Sequence, residues 1–412
     1  MSMGGYPQGS YAGPRAARFH APVPVQRGWS ETLRIWWREL DKVLLALILA
    51  LMAVGVVAVA AASPSSASQL STAAVQLDEF MYLKRHIFFQ TAGIGLMIAV
   101  SFASRDNARR MGILVGVVML GLLVLVPFLG PVKNGARRWL EFGVSIQPSE
   151  FMKPAFAIIL AWVLSWRLRD PGLPVIAFAT AIFLLIAALL MAQPNLGDTI
   201  LFAGIWFVLV MLAGVPVQRI GALMGGVIVL LTLAYLFYDN ARHRIDSFIG
   251  GGTAFDQVDL AQRTLMAGGW TGSGLWLGIR KMNLPEAHTD YIFSVIGEEF
   301  GLIACAVIVI LYCAIVMRAL MRLVDEENLF ALLAGAGLIT GLGGQAFINI
   351  LVNLQLFPSK GMTLPLISYG GSSALAVCFT LGLLLAITRR NPFLAKEARG
   401  LRGLLDSKEE RP

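Results

Sequence analysis

Charge is scarce in this chain. Asp, Glu, Lys and Arg make up 14% of its 412 residues, against about a quarter of an ordinary soluble domain, and that excludes a water-soluble fold of this length. Cysteine is scarcer still, with three residues. Cys305, Cys313 and Cys378 all fall inside apolar runs at spacings that match no metal or redox motif, which argues against a disulfide framework. The four histidines, His20, His86, His243 and His288, form no HxxxH or HExxH pair, so a zinc site is not indicated. Residues 1–42 lack the apolar stretch of a signal peptide, and the first apolar run is long enough to span a bilayer, so it reads as a retained first helix.

What is present is apolar surface. The AVILMFWYC set supplies 57% of the residues, with 42 glycines, many of them inside apolar runs where small residues let membrane helices approach closely. Runs at roughly 43–63, 87–104, 111–130, 149–166, 173–192, 198–214, 218–238, 291–317, 329–353 and 366–388 are each near the length of a bilayer-spanning helix. The sequence therefore predicts an all-α polytopic membrane protein of ten spans. With both termini in the cytoplasm, 21 Lys and Arg fall inside and 11 outside, with Lys153 within a span, the bias that sets orientation. The net charge of +8 is then explained by inner loops and tails, without nucleic acid as a partner.

This divides the chain into a cytoplasmic tail at 1–42, a membrane domain at 43–388 with a large extracytoplasmic loop at 239–290 between the seventh and eighth spans, and a cytoplasmic tail at 389–412. Within the first tail, Trp29, Leu33, Trp36, Trp37 and Leu40 recur at near-helical spacing with Arg34, Arg38 and Lys42 between them. That is the pattern of an interfacial helix on an anionic leaflet. Residues 1–27 have the composition of a disordered segment.

Polar groups in or beside spans are costly and therefore informative. Four clusters stand out. In Gln147-Pro148-Ser149-Glu150-Phe151-Met152-Lys153, Ser149 is placed to cap a helix, and Glu150 and Lys153 lie one turn apart, either a structural pair or part of a site. Gln193-Pro194-Asn195-Leu196-Gly197-Asp198 is a tight outer turn that needs no function. Leu284-Pro285-Glu286-Ala287-His288-Thr289-Asp290-Tyr291 leads into the eighth span, where Asp290 could simply cap the helix. The crowding of Glu286, His288 and Asp290, with Glu298 and Glu299 following, reads better as a site. Gln345, Asn349 and Asn353 form one amide stripe, interhelical glue or site wall, followed by Lys360 and the run Ser368-Tyr369-Gly370-Gly371-Ser372-Ser373.

The outer face has no ATP, so an enzyme working there needs a donor that arrives activated, such as a lipid-linked pyrophosphate sugar. Transfer needs a base for the acceptor hydroxyl, for which Asp290 is best placed, and cations for the departing pyrophosphate, for which Arg137, Arg138, Arg242, Arg244, Arg263, Arg280, Lys281 and Lys360 are candidates. Outer acidic groups could also hold Mg²⁺ or Mn²⁺ as a cofactor, although no spacing signature marks a metal site. From the residues alone, glycosyl transfer and lipid transport stand nearly level.

Four motifs in order resemble the SEDS family of bacterial cell-wall proteins (FtsW, RodA and SpoVE) across roughly 43–390. They are Asn134-Gly135-Ala136-x-Arg138-Trp139; Gln147-Pro148-Ser149-Glu150-Phe151-x-Lys153; Leu284-Pro285-Glu286-Ala287-His288-Thr289-Asp290 with Gly297-Glu298-Glu299; and Ser368-Tyr369-Gly370-Gly371-Ser372-Ser373. The likeness is greater to the division branch, FtsW, than to the elongation branch, RodA. It implies a ten-helix fold and a peptidoglycan glycosyltransferase that polymerises lipid II on the outer face of the bacterial inner membrane, at the division septum. It also implies a class B penicillin-binding protein of the FtsI type, with other division proteins, as partners. Asp290 falls on the family's catalytic carboxylate, and Glu150 and Lys153 on its central cavity. With them, Arg138, Glu286, His288, Asn349, Lys360 and Ser368 are the expected substrate-binding residues. Elongation-type polymerase, lipid II flippase and division scaffold are the rival functions. One departure is visible: the family's Gln-Pro-Asp-Leu-Gly has Asn195 for its Asp here, and Asp198, one turn on, is the nearest replacement.

Overall fold

The structure, a computed structural model, describes residues 28–71, 76–133, 136–141, 143, 145–168, 170, 172–214, isolated positions between 221 and 250, 257–358 and 361–390. Its helices are α1 (Trp29–Glu39), α2 (Lys42–Leu70), α3 (Met81–Ser101), α4 (Arg105–Leu129), α5 (Pro148–Ser165), α6 (Val175–Met191), α7 (Leu196–Leu212), α8 (Gln257–Ala267), α9 (Ile292–Leu323), α10 (Leu329–Asn353) and α11 (Gly371–Thr388). Two antiparallel strand pairs lie between α4 and α5: Val132–Lys133 with Ala136–Arg137, and Leu140–Glu141 with Ser145–Ile146.

Among the described residues six stretches are long and apolar enough to cross a membrane: α2, α4, α5 with its short extension to Leu168, α9, α10 and α11. The helices α6 and α7 are apolar but shorter. Each expected run coincides with a helix except 218–238, which lies outside the described residues save for isolated positions, as do 1–27 and 391–412. Helices α5, α10 and α11 are buried on most of their surface and pack on one another, so their uniformly apolar sequences fill the centre of the bundle. Helix α4 instead turns Leu114, Val117, Leu125 and Phe128 outward.

Two helices depart from the sequence expectation. Helix α2 continues past residue 63 to Leu70 through a serine-rich turn, in which the Ser65, Ser68 and Ser71 hydroxyls donate back to carbonyls three or four residues earlier. Helix α9, expected as one continuous span, is broken at Gly301, whose φ of 79° and ψ of 175° lie outside helical space.

The end of the bundle that carries α1 is closed by ion pairs. Asp41 caps α2 by accepting from the Val43 and Leu44 amides, both at 3.1 Å, and accepts from Arg318 Nε at 2.8 Å and Arg322 Nε at 2.5 Å on α9. Arg105 pairs in a fork with Glu326 at 2.8 and 2.9 Å. Trp36 of α1 stacks on Phe102 at 4.4 Å and donates to Ser101 Oγ at 3.0 Å, while Trp29, Leu33 and Trp37 are exposed.

Burial pushes the Asp41 carboxyl up, but the two guanidiniums and the α2 amides outweigh it and hold the group below the usual carboxylate range. A carboxylate lowered in this way stabilises the fold above its unfolded-state pKa near about 3.9 and loses that contribution as pH falls through the folded value. Asp41→Asn, which keeps an oxygen for the cap but no charge, should cost about 2 kcal/mol. That is less than the roughly 3–5 kcal/mol of a fully buried broken pair, because Arg318 and Arg322 are 30% and 26% exposed and can turn to water. Thermal unfolding in detergent at pH 7 tests this, and an unchanged midpoint would refute it.

Candidate active site

Pro148 occupies the first turn of α5, where its missing N–H costs nothing. The N-cap position is Gln147 and no side chain caps the helix, so Ser149 does not play the capping role its sequence position suggests. Its hydroxyl is free to donate to Asp198 Oδ2 at 2.8 Å. Lys153 donates to Glu150 Oε1 at 2.7 Å and Gln345 Oε1 at 3.0 Å, and pairs with Asp198 Oδ1 at 3.2 Å. Asn195 Nδ2 donates to Asp198 Oδ2 at 2.7 Å. The turn at 193–198 is thus more than a hairpin, because Asp198 reaches the same ammonium as Glu150. All three charges are buried, which the low-dielectric interior tolerates only when each is paired and hydrogen-bonded. A cavity between α5, α10 and α11 is lined by Glu150, Lys153, Gly341, Gln345 and Thr380, among others; neither Asp290 nor Arg138 lines it.

From this network a polar seam runs toward the opposite end from Asp41. Gln345 Nε2 donates to Thr363 O at 3.0 Å, Thr363 Oγ1 bonds Ser373 Oγ at 2.7 Å, and Ser373 donates to Glu150 Oε2 at 3.2 Å. Two residues before Thr363 lies Gly361, where the seam meets the turn that carries Asp290.

That turn is pinned through its backbone. His288 O accepts from the Tyr369 amide at 2.9 Å and Thr289 O from Ser368 Oγ at 2.6 Å. Asp290 O accepts from Asn349 Nδ2 at 2.8 Å and Asn353 Nδ2 at 3.1 Å. Asn353 is itself fixed by accepting from Ser294 Oγ at 2.7 Å, and Asn349 also donates to Met362 O at 2.6 Å. Three successive carbonyls are therefore held by α10 and the 361–369 segment. Asp290 does not cap α9; the N-cap residue is Tyr291, without a side-chain cap.

The Asp290 carboxylate reaches Gly361 beside Arg138. A β-carbon on Gly361 would sit 3.4 Å from Asp290 Oδ2 and 3.6 Å from Arg138 Nη1, so the two groups are at most 7.0 Å apart. Arg138 also donates to Pro194 O, which ties the strand region to the turn before Asp198. An acid–base group and a cation thus converge at Gly361.

The other expected residues behave differently. Glu286 accepts from Thr289 Oγ1 at 2.7 Å and stabilises the turn. His288 meets Ser66 Oγ at 2.9 Å and lies against Tyr82 and Tyr369 with ring centroids 4.0 and 5.5 Å away, so it docks the turn on α2 and α3. Lys360 and Arg244 lie outside the described residues. Glu298 and Glu299, grouped with Asp290 by sequence proximity, instead accept the amides of Arg280, Lys281 and Trp276 from the preceding loop. Gly361 and Thr363 carry no sequence signal that would have selected them; Ser373 was visible only as the end of the Ser368–Ser373 run and Asn353 only as the third amide of the stripe. Among the described residues no three His, Cys, Asp or Glu side chains converge on a metal-sized point.

A family model described as cell cycle protein (FtsW/RodA/SpoVE) matches residues 41–392. The chain belongs to the FtsW/RodA/SpoVE family. A relative from Caulobacter vibrioides, named "Probable peptidoglycan glycosyltransferase FtsW", is 36% identical over 362 residues, covering 87% of this chain and 92% of the relative. Among solved structures, a chain described under "Structural coordination of polymerization and crosslinking by a peptidoglycan synthase complex" matches with a TM-score of 0.69 at 27% identity, over 85% of this chain and 98% of that one. The Thermus thermophilus rod shape determining protein RodA matches at 0.63 and 27%, over 86% and 98%. As a member of the FtsW/RodA/SpoVE family with several bilayer-length apolar helices, the chain is a multi-pass membrane protein.

Burial pushes the His288 imidazole down to about 4, with Glu286 opposing. The folded ring is therefore neutral where an unfolded histidine, near about 6.5, takes up a proton, and the fold loses stability as pH drops from about 6.5 toward the folded value. His288→Gln, which keeps a hydrogen-bonding partner for Ser66, should flatten that slope and leave stability between pH 7 and 8 little changed. Melting curves of both proteins from pH 4.5 to 8 would show it; parallel slopes would refute it.

Proposed function

We propose that this protein is a peptidoglycan glycosyltransferase of the FtsW type that polymerises lipid II into β-1,4 glycan strands. The observation that carries the reading is the Asp290 carboxylate held at a pinned turn beside Arg138, within a chain that shares the family's motifs along most of its length. Asp290 is the general base for the acceptor hydroxyl, and Arg138 offsets charge on the departing pyrophosphate or its approach. Asn349 and Ser368 position Asp290 through the backbone, as does Asn353, and Glu286 and His288 shape the turn. Glu150 and Lys153, with Asp198 as the carboxylate that substitutes for the one absent at Asn195, keep the seam behind Gly361 ordered.

In this reading the membrane domain spans 43–388 with ten transmembrane helices, both tails cytoplasmic and the 239–290 loop outside. The donor lipid enters sideways between helices of the bacterial inner membrane, at the septum. The partner is a class B penicillin-binding protein of the FtsI type, and no cofactor beyond an optional Mg²⁺ or Mn²⁺ is invoked. One feature favours a second reading, lipid II transport: the cavity on Glu150 and Lys153 lies inside the bundle, away from Asp290.

The decisive experiment reconstitutes the protein with its transpeptidase partner, blocks crosslinking with a β-lactam, supplies lipid II and compares glycan ladders. Asp290→Asn should fold normally and lose roughly 10²–10⁴-fold in polymerisation, the usual worth of a positioned general base. Undiminished ladders would remove Asp290 from the chemistry, and lipid II translocation retained in Asp290→Asn without ladders from wild type would favour transport.

A second variant tests the shared space. Gly361→Leu sets a side chain against both Asp290 and Arg138 without creating backbone strain, since Gly361 does not need positive φ. It should keep the wild-type melting temperature while lowering polymerisation at least tenfold. Wild-type activity in this variant would show that substrate does not pass between the two groups.

A further inference from the structure

Between α8 and the Asp290 turn, residues 268–283 form an irregular loop laid against two places where a helix lacks part of its own hydrogen-bond ladder. One is Gly301, where α9 gives up its own ladder and the loop supplies replacements. The Leu302 amide donates to Gly269 O at 3.0 Å, and the Ser273 and Gly274 amides donate to Glu298 O and Glu299 O at 2.8 and 3.0 Å. Only glycine serves at 301, because of its φ of 79° and because a β-carbon there would sit 2.3 Å from Trp270 O.

The other is Pro64 in α2. Proline has no N–H for the carbonyl four residues earlier, and that carbonyl, Ala60 O, accepts Trp276 Nε1 at 3.1 Å. Next to it Ala61 O accepts Lys281 Nζ at 2.9 Å, and Lys281 is ion-paired to Glu299. Glu298 accepts the Arg280 and Lys281 amides at 2.7 and 2.8 Å, and Glu299 the Trp276 amide at 3.0 Å. Several backbone amides of the loop, the Trp276 indole N–H and the Lys281 ammonium thus turn inward onto α2 and α9, while Arg280 is exposed.

Its apolar side chains turn the other way. Trp270, Trp276, Leu277 and Ile279 are 75%, 52%, 68% and 78% exposed. This surface joins the outward stripe of α9 at Ile303, Val307 and Ile310, through the Ile303 amide bonded to Trp270 O at 3.3 Å. Ala60 lies 18 residues beyond Lys42 on α2, about 27 Å along the axis at 1.5 Å per residue, close to the roughly 30 Å thickness of a hydrocarbon core. Irregular backbone survives at that depth only when the protein satisfies it internally, and tryptophans concentrate at that boundary.

We infer that residues 268–283 are a lipid-immersed ledge, with Trp270, Trp276, Leu277 and Ile279 seated among the outer-leaflet lipids at the headgroup–acyl boundary. The loop does not project into water there. The inference rests on the membrane-spanning reading of α2 and α9 and is independent of which reaction the protein catalyses.

Spin labels placed singly at Leu277→Cys and Ile279→Cys test it, in a Cys313→Ser chain, since the other two cysteines are buried. The full chain is reconstituted in phosphatidylethanolamine–phosphatidylglycerol vesicles, with a label at Arg263→Cys on exposed α8 as reference. Both ledge labels should collide with dissolved oxygen several-fold more often than with a water-soluble nickel chelate, the reverse of the ratio at Arg263→Cys. Because both ledge side chains point away from the protein, labelling them should leave its melting temperature unchanged. Nickel-accessible ledge labels would overturn the proposal. So would labels that leave water only when the transpeptidase partner is added, which would make the occupant a protein.

Discussion

A polar group without a partner is most expensive where no water can reach it, and this chain is organised around that cost. Its bundle of apolar helices leaves little besides itself to satisfy a broken helix, a buried ammonium or a turn carbonyl. Hence Pro64, which removes one bond from the α2 ladder, and Gly301, which breaks α9, are serviced by the same loop, and Lys153 is surrounded by two carboxylates and an amide. Polar residues that seem extravagant in so apolar a sequence are the ones closing these accounts.

The same constraint explains why Asp290 is held by its backbone. The turn delivers three carbonyls to Tyr369, Ser368 and the Asn349–Asn353 pair, fixing where the side chain starts, and its carboxylate lies toward Gly361 beside Arg138. Asn349 and Asn353 suit that task because an amide offers donors without charge. An ammonium in their place would pull on the carboxylate as well as on the carbonyl.

Legibility in the sequence follows the range of the interaction. Apolar runs announce helices because burial depends on composition over twenty residues, and nearly every described span lies where hydropathy put it. Residues one turn apart, such as Glu150 with Lys153 or Asn349 with Asn353, were visible as pairs. Their partners were not: nothing local connects Ser149 to Asp198, Gln345 to Thr363 or Asp41 to Arg318, because those contacts depend on helix packing. Sequence proximity misled at Glu298 and Glu299, which share a helix with the Asp290 turn but face a loop on the other side. Ser149 misled as well, since a proline at the first helical position moved the cap to Gln147 and freed the hydroxyl.

The departure at Asn195 has an electrostatic explanation in the same terms. Glu150 and Asp198 already place two carboxylates on the single ammonium of Lys153, and each needs outside donors: Ser373 for Glu150, Ser149 and Asn195 for Asp198. An aspartate at 195 would bring a third carboxylate to 2.7 Å from Asp198 Oδ2 in place of a donor, turning a favourable contact into like-charge repulsion in a medium that screens it poorly. With the carboxylate at 198, an amide at 195 is the side chain of nearly the same shape that donates. The two positions therefore work as one unit, with the charge at 198 and its hydrogen-bond donor at 195.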